Sequence, residues 1–88
     1  MDALPMAKAS KTPSTRVLFG RNVRLVRRVR EISQEELAAR ADIYRSHVAL
    51  IEKGEINFSV DTMEKVAHAL DMEVYDLLDP RITLENAR

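Results

Sequence analysis

The sequence predicts an all-α fold of five short helices. Apolar residues recur three and four positions apart, as in Phe19, Val23 and Val26, which is the period of one face of a helix. Ser33 and Ser59 stand directly before such periodic segments, where a serine side chain can cap the first turn of a helix. Because these local signals agree, the chain is expected to form a small bundle of helices.

The bounds of the expected helices follow from these periods and caps. The helices span residues 17 to about 30, 34 to about 41, 44–53, a segment after Ser59, and 73–78. The fourth helix carries its apolar face on Val60, Met63, Val66, Ala67 and Leu70. The first helix carries a second apolar line, which consists of Leu18, Leu25 and Val29. This line is either a broader core face, which we favour, or an exposed contact surface.

Length and composition exclude several classes of protein. The 88 residues suit one domain, and the absence of cysteine excludes disulfides and thiolate metal sites. The chain shows neither a secretory signal nor an apolar run near the roughly 20 residues of a membrane span. Its two histidines, His47 and His68, are too few for a metal site, and a glycine-rich phosphate loop is missing. We expect a soluble cytoplasmic protein that is not an enzyme, binds no membrane and needs no cofactor or metal.

Zero net charge hides a strong separation of charge along the chain. Residues 1–30 contain eight lysine or arginine residues and one acidic residue, whereas residues 31–88 contain six basic and thirteen acidic residues. Such asymmetry between the halves of a chain indicates a polyanionic partner. An inert, dipolar surface is the alternative that this signal leaves open.

Three parts can be distinguished along the chain. Residues 1–15 are polar and are expected to form a flexible basic arm, in which Lys8 and Lys11 either contact phosphate groups or are simply solvated. Residues 16–79 contain the helical periods and are expected to form the folded domain. A proline ends the last helix, and residues 80–88 follow it as a tail that either frays or lies across a second subunit.

The organising stretch of the sequence is residues 33–54. Ser33 and Glu36 have the spacing of a capping box, Asp42 suits a tight left-handed corner, and Gly54 suits the end of a helix. On the second helix of this stretch, the side expected to pack consists of Val48, Ile51 and Glu52. The side that remains free for a partner consists of Arg45, Ser46, Ala49, Leu50 and Lys53.

Several features of this stretch match one known family. They are the opening Gln34-Glu35-Glu36-Leu37-Ala38, a three-residue corner, the small Ser46, the pair Val48 and Ile51, and the ending Ile51-Glu52-Lys53-Gly54. With them the chain resembles the lambda-repressor-like (Cro-type, XRE) helix-turn-helix DNA-binding transcriptional regulators over residues 19–78. The resemblance implies a compact five-helix DNA-binding domain.

The resemblance also implies the residues that contact double-stranded DNA. The second helix of the motif enters the major groove, and the expected base contacts are Arg45, Ser46, Ala49 and Leu50, with Tyr44 at the rim. Arg45 is expected to read a guanine, while Ala49 and Leu50 either touch a thymine methyl group or only fill the groove wall. The expected phosphate contacts are Gln34, Lys53, Asn57 and Arg24.

Two further points concern the stability of the motif. By resemblance, Arg27 pairs with Glu52 and braces the two helices. Glu31, Asp42 and Asp71 stand where relatives commonly have glycine, and a left-handed non-glycine residue costs about 1 kcal/mol. We therefore expect altered corners or a modestly less stable monomer.

The resemblance and the charge placement together indicate a sequence-specific transcriptional regulator that binds a palindromic operator as a homodimer. The residues expected at the dimer interface are Val74, Tyr75, Leu78, Ile82 and Leu84. The alternative is an antitoxin-type or adaptor helix-turn-helix module whose main role is to bind a protein partner. The acidic residues 31–88 and the second apolar line of the first helix favour this alternative slightly.

Overall fold

A computed structural model describes residues 13–88 as four α-helices and one 3-10 helix. The elements are α1 Thr15–Val29, α2 Gln34–Ala41, α3 Arg45–Lys53, α4 Val60–Ala69 and the 3-10 helix Val74–Leu78. Residues 13–88 contain no β-strand, so the all-α prediction is confirmed. Lys8 and Lys11 of the expected basic arm lie outside the described residues.

Three helix starts differ from the expected positions. Helix α1 begins at Thr15, two residues early, because the Ser14 hydroxyl accepts a hydrogen bond from the Val17 amide at 3.4 Å and caps the first turn. Helix α3 begins at Arg45 rather than Tyr44, since Tyr44 has an extended backbone and occupies the N-cap position. The fifth element is a 3-10 helix, and it begins one residue after Glu73.

Serine residues cap α2 and α4. The Ser33 hydroxyl accepts from the Glu36 amide at 2.9 Å, and the Ser59 hydroxyl accepts from the Thr62 amide at 3.0 Å. The reciprocal half of the expected capping box at Ser33 is not formed, because the Glu36 carboxylate instead accepts a charge-assisted hydrogen bond from Arg40 at 2.6 Å.

Three acidic residues at corners of the chain adopt the left-handed backbone conformation. Glu31, Asp42 and Asp71 have φ angles of 58°, 59° and 61°. Each places a Cβ atom where glycine would have none, at a cost of about 1 kcal/mol. Gly54 ends α3 with a φ angle of 69° and does not carry this penalty.

One apolar core joins all five elements. Each contributes a buried side chain, for example Phe19, Leu37, Ile51, Val66 and Leu77. Of the second apolar line on α1, Leu18 is buried, while Leu25 and Val29 are partly buried and pack against the core. The interpretation of that line as a broader core face is therefore confirmed.

Gly20 allows α1 and α3 to approach through their backbones. A Cβ atom added to Gly20 would lie 1.9 Å from the carbonyl oxygen of Ile51 and 3.2 Å from the Cα atom of Glu52. Any side chain at this position would collide with the main chain of α3. Gly20 therefore fixes the position of α3, although its role was not predicted from the sequence.

Residues 80–88 fold back onto the domain. The Ala87 side chain is completely buried in the chain's own core, and Ile82 packs against the same core. The Asn22 side-chain amide, buried on α1, donates to the carbonyl oxygens of Leu77 at 3.0 Å and Asp79 at 2.9 Å. These contacts attach the end of the 3-10 helix to α1, and they were not predicted from the sequence.

An exposed ion pair joins the start of the tail to the residue before it. The Arg81 guanidinium donates to the Asp79 carboxylate at 3.0 Å, and this hydrogen bond holds the pKa of the Asp79 carboxyl below its ordinary value.

Within residues 13–88, no helix is both long and apolar enough to span a membrane.

Candidate nucleic-acid interface

Helices α2 and α3 form a helix-turn-helix with a clear division between an inner and an outer side. Val48, Ile51 and Glu52 are buried on the inner side of α3. The outer side exposes Arg45, Ser46 and Lys53, while Ala49 and Leu50 are half-buried. Tyr44 precedes the helix and is 79% exposed. His47 is also exposed on α3, and the sequence did not assign it a role.

An open groove lies between α1, α2 and α3. The exposed cationic side chains that line it are Arg24, Arg28, Arg45 and Lys53, and the buried Arg27 lines it as well. Gln34 and Ala49 also line it, so five of the expected DNA contacts share this one surface. Arg28 was not assigned as a contact from the sequence, because its position in the groove depends on how α1 packs beside the motif.

Local charge in the groove is strongly positive although the net charge of the chain is zero. Four exposed cations line it against one exposed acidic residue, Glu35, and the buried Arg27 and Glu52, which also line it, neutralise each other. Gln34 is the first residue of α2, where the helix dipole and free backbone N–H groups favour an anion. The groove therefore suits a polyanion such as a DNA backbone.

Arg27 and Glu52 form a buried, bidentate ion pair beneath this groove. The Arg27 guanidinium donates to the two Glu52 carboxylate oxygens at 2.6 and 3.0 Å, and each residue is 8% exposed. Arg27 also donates to the Ile32 carbonyl oxygen at 2.8 Å, and the Gln34 amide donates to Glu52 at 3.1 Å. The pair thus joins α1, the loop after it, and both helices of the motif.

Asn57 lies apart from the groove, in the loop between α3 and α4. Its side-chain oxygen accepts a hydrogen bond from the Arg16 guanidinium at 2.7 Å, and both residues are exposed. This bond uses only the oxygen, so the amide N–H groups of Asn57 remain as donors.

The residues expected at a dimer interface fall into two groups. Val74, Leu78 and Ile82 are partly buried and pack against the core of the same chain. Tyr75 and Leu84 are 73% and 62% exposed, so they offer most of their surface to a partner.

The outward side of α3, beside a cationic groove, defines a helix-turn-helix protein that binds nucleic acid. Residues 23–77 match the helix-turn-helix family. The chain belongs to this family, in its lambda-repressor-like (Cro-type, XRE) branch, and is a DNA-binding transcriptional regulator.

Three proteins that are similar to this chain in sequence or in structure show how far the similarity extends. Control protein C.BamHI of Bacillus amyloliquefaciens is 42% identical over 69 residues, which cover 77% of this chain and 85% of the relative. The restriction-modification controller protein C.AhdI of Aeromonas hydrophila superposes with a TM-score of 0.67 at 39% identity, covering 69% of this chain and 92% of that structure. The hypothetical transcription factor NHTF from Neisseria superposes with a TM-score of 0.75 at 34% identity, covering 90% of each chain.

Proposed function

We propose that the protein binds a palindromic DNA operator in a sequence-specific manner as a homodimer, with α3 in the major groove. The observation that supports this function is the position of Arg45, on the outward side of α3 and in the same groove as Arg24, Arg28 and Lys53. In such an arrangement the surrounding cations hold the phosphate backbone while α3 faces the base edges. The proposed base contacts are Arg45, Ser46, Ala49 and Leu50, with Tyr44 at the rim.

Phosphate contacts are proposed on both sides of α3. Gln34 uses one amide N–H group on Glu52 and retains a second one for a phosphate oxygen. Arg24, Arg28 and Lys53 provide exposed cations along the same groove. In the loop that follows Lys53, Asn57 retains its amide N–H groups while Arg16 adds a cation beside it.

Dimerisation is proposed because one small module has a limited contact area. A single module buries only about 600–1,000 Å² on DNA, whereas two modules on half-sites about 34 Å apart combine their binding energy. The 3-10 helix, which carries the exposed Tyr75, packs on α1 and α4. A second copy bound at this end of the molecule would leave the outward side of α3 free.

Selection of bound sequences from a random DNA pool, followed by footprinting, tests the proposed function. We expect enrichment of an inverted repeat whose half-site centres are about 34 Å apart, one turn of the duplex. Enrichment of a site without inverted symmetry would contradict the homodimer. A pool that shows no enrichment would contradict sequence-specific binding.

Replacing Arg45 with alanine is expected to remove one base preference. A guanidinium can donate two hydrogen bonds to guanine, so the loss for the selected operator should be about 1–3 kcal/mol, with little change on random DNA. Competition binding at fixed salt measures both affinities. Arg21→Ala is the matched control, because Arg21 is exposed on α1 and does not line the groove. An equal loss on both DNAs would make Arg45 a phosphate contact.

Replacing Lys53 with alanine is expected to weaken binding to all sequences alike. A phosphate contact fixes position without reading bases, and its removal should lower the slope of log affinity against log salt by about 1. Gln34→Ala should also weaken all sequences alike, with a smaller change in this slope, because the amide carries no charge. A loss confined to the selected operator would contradict the phosphate assignment of either residue.

A finer role is supported by one relative, the restriction-modification controller protein C.AhdI, and C.BamHI is likewise a control protein. Similarity extends over 92% and 85% of these proteins, so it includes more than the helix-turn-helix itself. We propose that this chain likewise controls restriction-modification genes. The role predicts that the selected operator lies upstream of neighbouring endonuclease or methyltransferase genes, and an operator found only elsewhere would contradict it.

A further inference from the structure

Arg30, directly after the last residue of α1, connects the end of α4 to the C-terminal tail. Its guanidinium donates to the carbonyl oxygen of Ala87 at 3.2 Å and also to the carbonyl oxygen of Leu70, which caps α4. Arg30 is half-buried, so water competes less with these bonds than at a fully exposed site. One side chain thus joins α1, the end of α4 and the last turn of the chain.

The tail that Arg30 holds has a defined conformation of its own. The Thr83 amide donates to the Asn86 side-chain oxygen at 2.7 Å, and the Ala87 amide donates to the Thr83 carbonyl oxygen at 3.0 Å. These bonds close a turn over residues 83–87, and the buried methyl group of Ala87 anchors it. Leu84 projects from this turn and is 62% exposed, although it is a large apolar side chain.

The tail and the 3-10 helix form one continuous surface. A groove between them is lined by Tyr75 and Asp76 from the 3-10 helix and by Ile82 and Asn86 from the tail. The groove that lies on the proposed DNA-binding side is instead built by α1, α2 and α3. A partner bound at the C-terminal groove therefore need not displace DNA.

A second copy of this chain is the partner that suits the C-terminal groove. The groove presents the exposed Tyr75 with Asp76 and Asp79, while the adjoining tail carries the exposed Leu84 and the cation of Arg81, which pairs with Asp79. In a two-fold contact each patch meets its own copy, so a surface with both signs of charge can pair opposite charges across the axis.

We propose that Arg30 is a positioning residue for dimerisation, which holds the tail in the conformation that completes the surface bound by a second copy. This inference rests on the homodimer proposed above. Arg30 acts through the tail and does not itself touch the partner. The bond to Leu70 fixes the guanidinium and the bond to Ala87 holds the tail, so without Arg30 the tail would fray, and association would then have to order the tail as well as bury it.

Replacing Arg30 with methionine tests this role, since methionine keeps an apolar stem but donates no hydrogen bond. Sedimentation equilibrium should show a dimer at least about tenfold weaker, the loss expected from removing charge-assisted hydrogen bonds. Arg21→Met removes the same charge from an exposed position on α1 and should leave the dissociation constant within about twofold. Arg30→Lys, which restores one donor group, should give an intermediate constant.

Two further measurements separate positioning from a merely structural role. Binding of a monomer to a single half-site should be unchanged in Arg30→Met, because the DNA-binding side is not altered. In a chain that ends after Thr83, Arg30→Met should weaken the dimer no further, because the part of the tail through which Arg30 acts is absent. An additional loss in the shortened chain would overturn the inference, and so would full-strength dimerisation of Arg30→Met. A wild-type chain that stays monomeric at all concentrations would instead overturn the homodimer itself.

Discussion

Replacing Glu52 with methionine is expected to lower the free energy of unfolding by about 3–5 kcal/mol. The change leaves the Arg27 guanidinium buried without its counter-charge, while the Ile32 carbonyl oxygen satisfies only part of its hydrogen-bonding capacity. Urea denaturation followed by circular dichroism measures the loss. Arg27→Met should have an effect of similar size, because it leaves the Glu52 carboxylate buried with Gln34 as its remaining donor.

The double variant Arg27→Met/Glu52→Met shows whether the buried charge is the cause. Removing both partners eliminates the uncompensated ion, so the double variant should be more stable than either single variant. Glu36→Gln is the control, because the Arg40–Glu36 pair has the same 2.6 Å separation but side chains that are 46% and 48% exposed. Such a pair contributes only about 0.3–0.5 kcal/mol. Equal losses at Glu52 and Glu36 would contradict a special contribution of the buried pair.

Gly20→Ala is expected to destabilise the protein by about 3 kcal/mol, the upper end of the range for overpacked cores. At an ordinary helix position the change in stability has the opposite sign, because alanine stabilises a helix relative to glycine by about 0.5–1 kcal/mol. The reason for the loss at Gly20 is the collision of the new methyl group with the Ile51 carbonyl group, a piece of backbone that cannot rotate away. DNA binding should weaken too, since the collision displaces α3 from α1.

The neighbouring substitution Arg21→Ala serves as the control for Gly20→Ala. Arg21 is exposed on the same helix, and its replacement should change the free energy of unfolding by no more than about 0.5 kcal/mol. Thermal unfolding of both variants gives the comparison. A Gly20→Ala protein that is as stable as wild type would show that α1 and α3 can move apart without a loss of stability, which would contradict the prediction.

The helices could be predicted because their signals are local. The spacing of Phe19, Val23 and Val26 and the caps at Ser33 and Ser59 each involve residues a few positions apart, and the structure contains the corresponding helices. The 3-10 form of the last element was not indicated by its apolar residues. Its start was expected one residue early, because Glu73 is the N-cap that forms a capping box with Asp76.

Features that depend on distant parts of the chain were not predictable in this way. A glycine at position 20 does not reveal that the Ile51 backbone crosses it, and Arg30 gives no sign that it will bind the carbonyl oxygen of Ala87, 57 residues away. The assignments of Arg45, Gln34 and other DNA contacts came from the family resemblance. The groove that brings Arg24 and Arg28 beside α3 depends on helix packing.

Helix α1 carries Asn22, Arg27 and Arg30, which bind the 3-10 helix, α3 and the tail respectively. The helix proposed to read DNA and the C-terminal region are therefore both hydrogen-bonded to α1, which limits their movement relative to each other. In the proposed homodimer, this stiffness would fix the distance and the rotation between the two copies of α3. One base pair inserted between the half-sites turns them by roughly 35° about the duplex axis, since a turn contains about 10–10.5 base pairs. Binding to both half-sites of such an operator would require the DNA to be twisted back, which costs elastic energy. The spacing between the half-sites thereby becomes part of what the protein recognises.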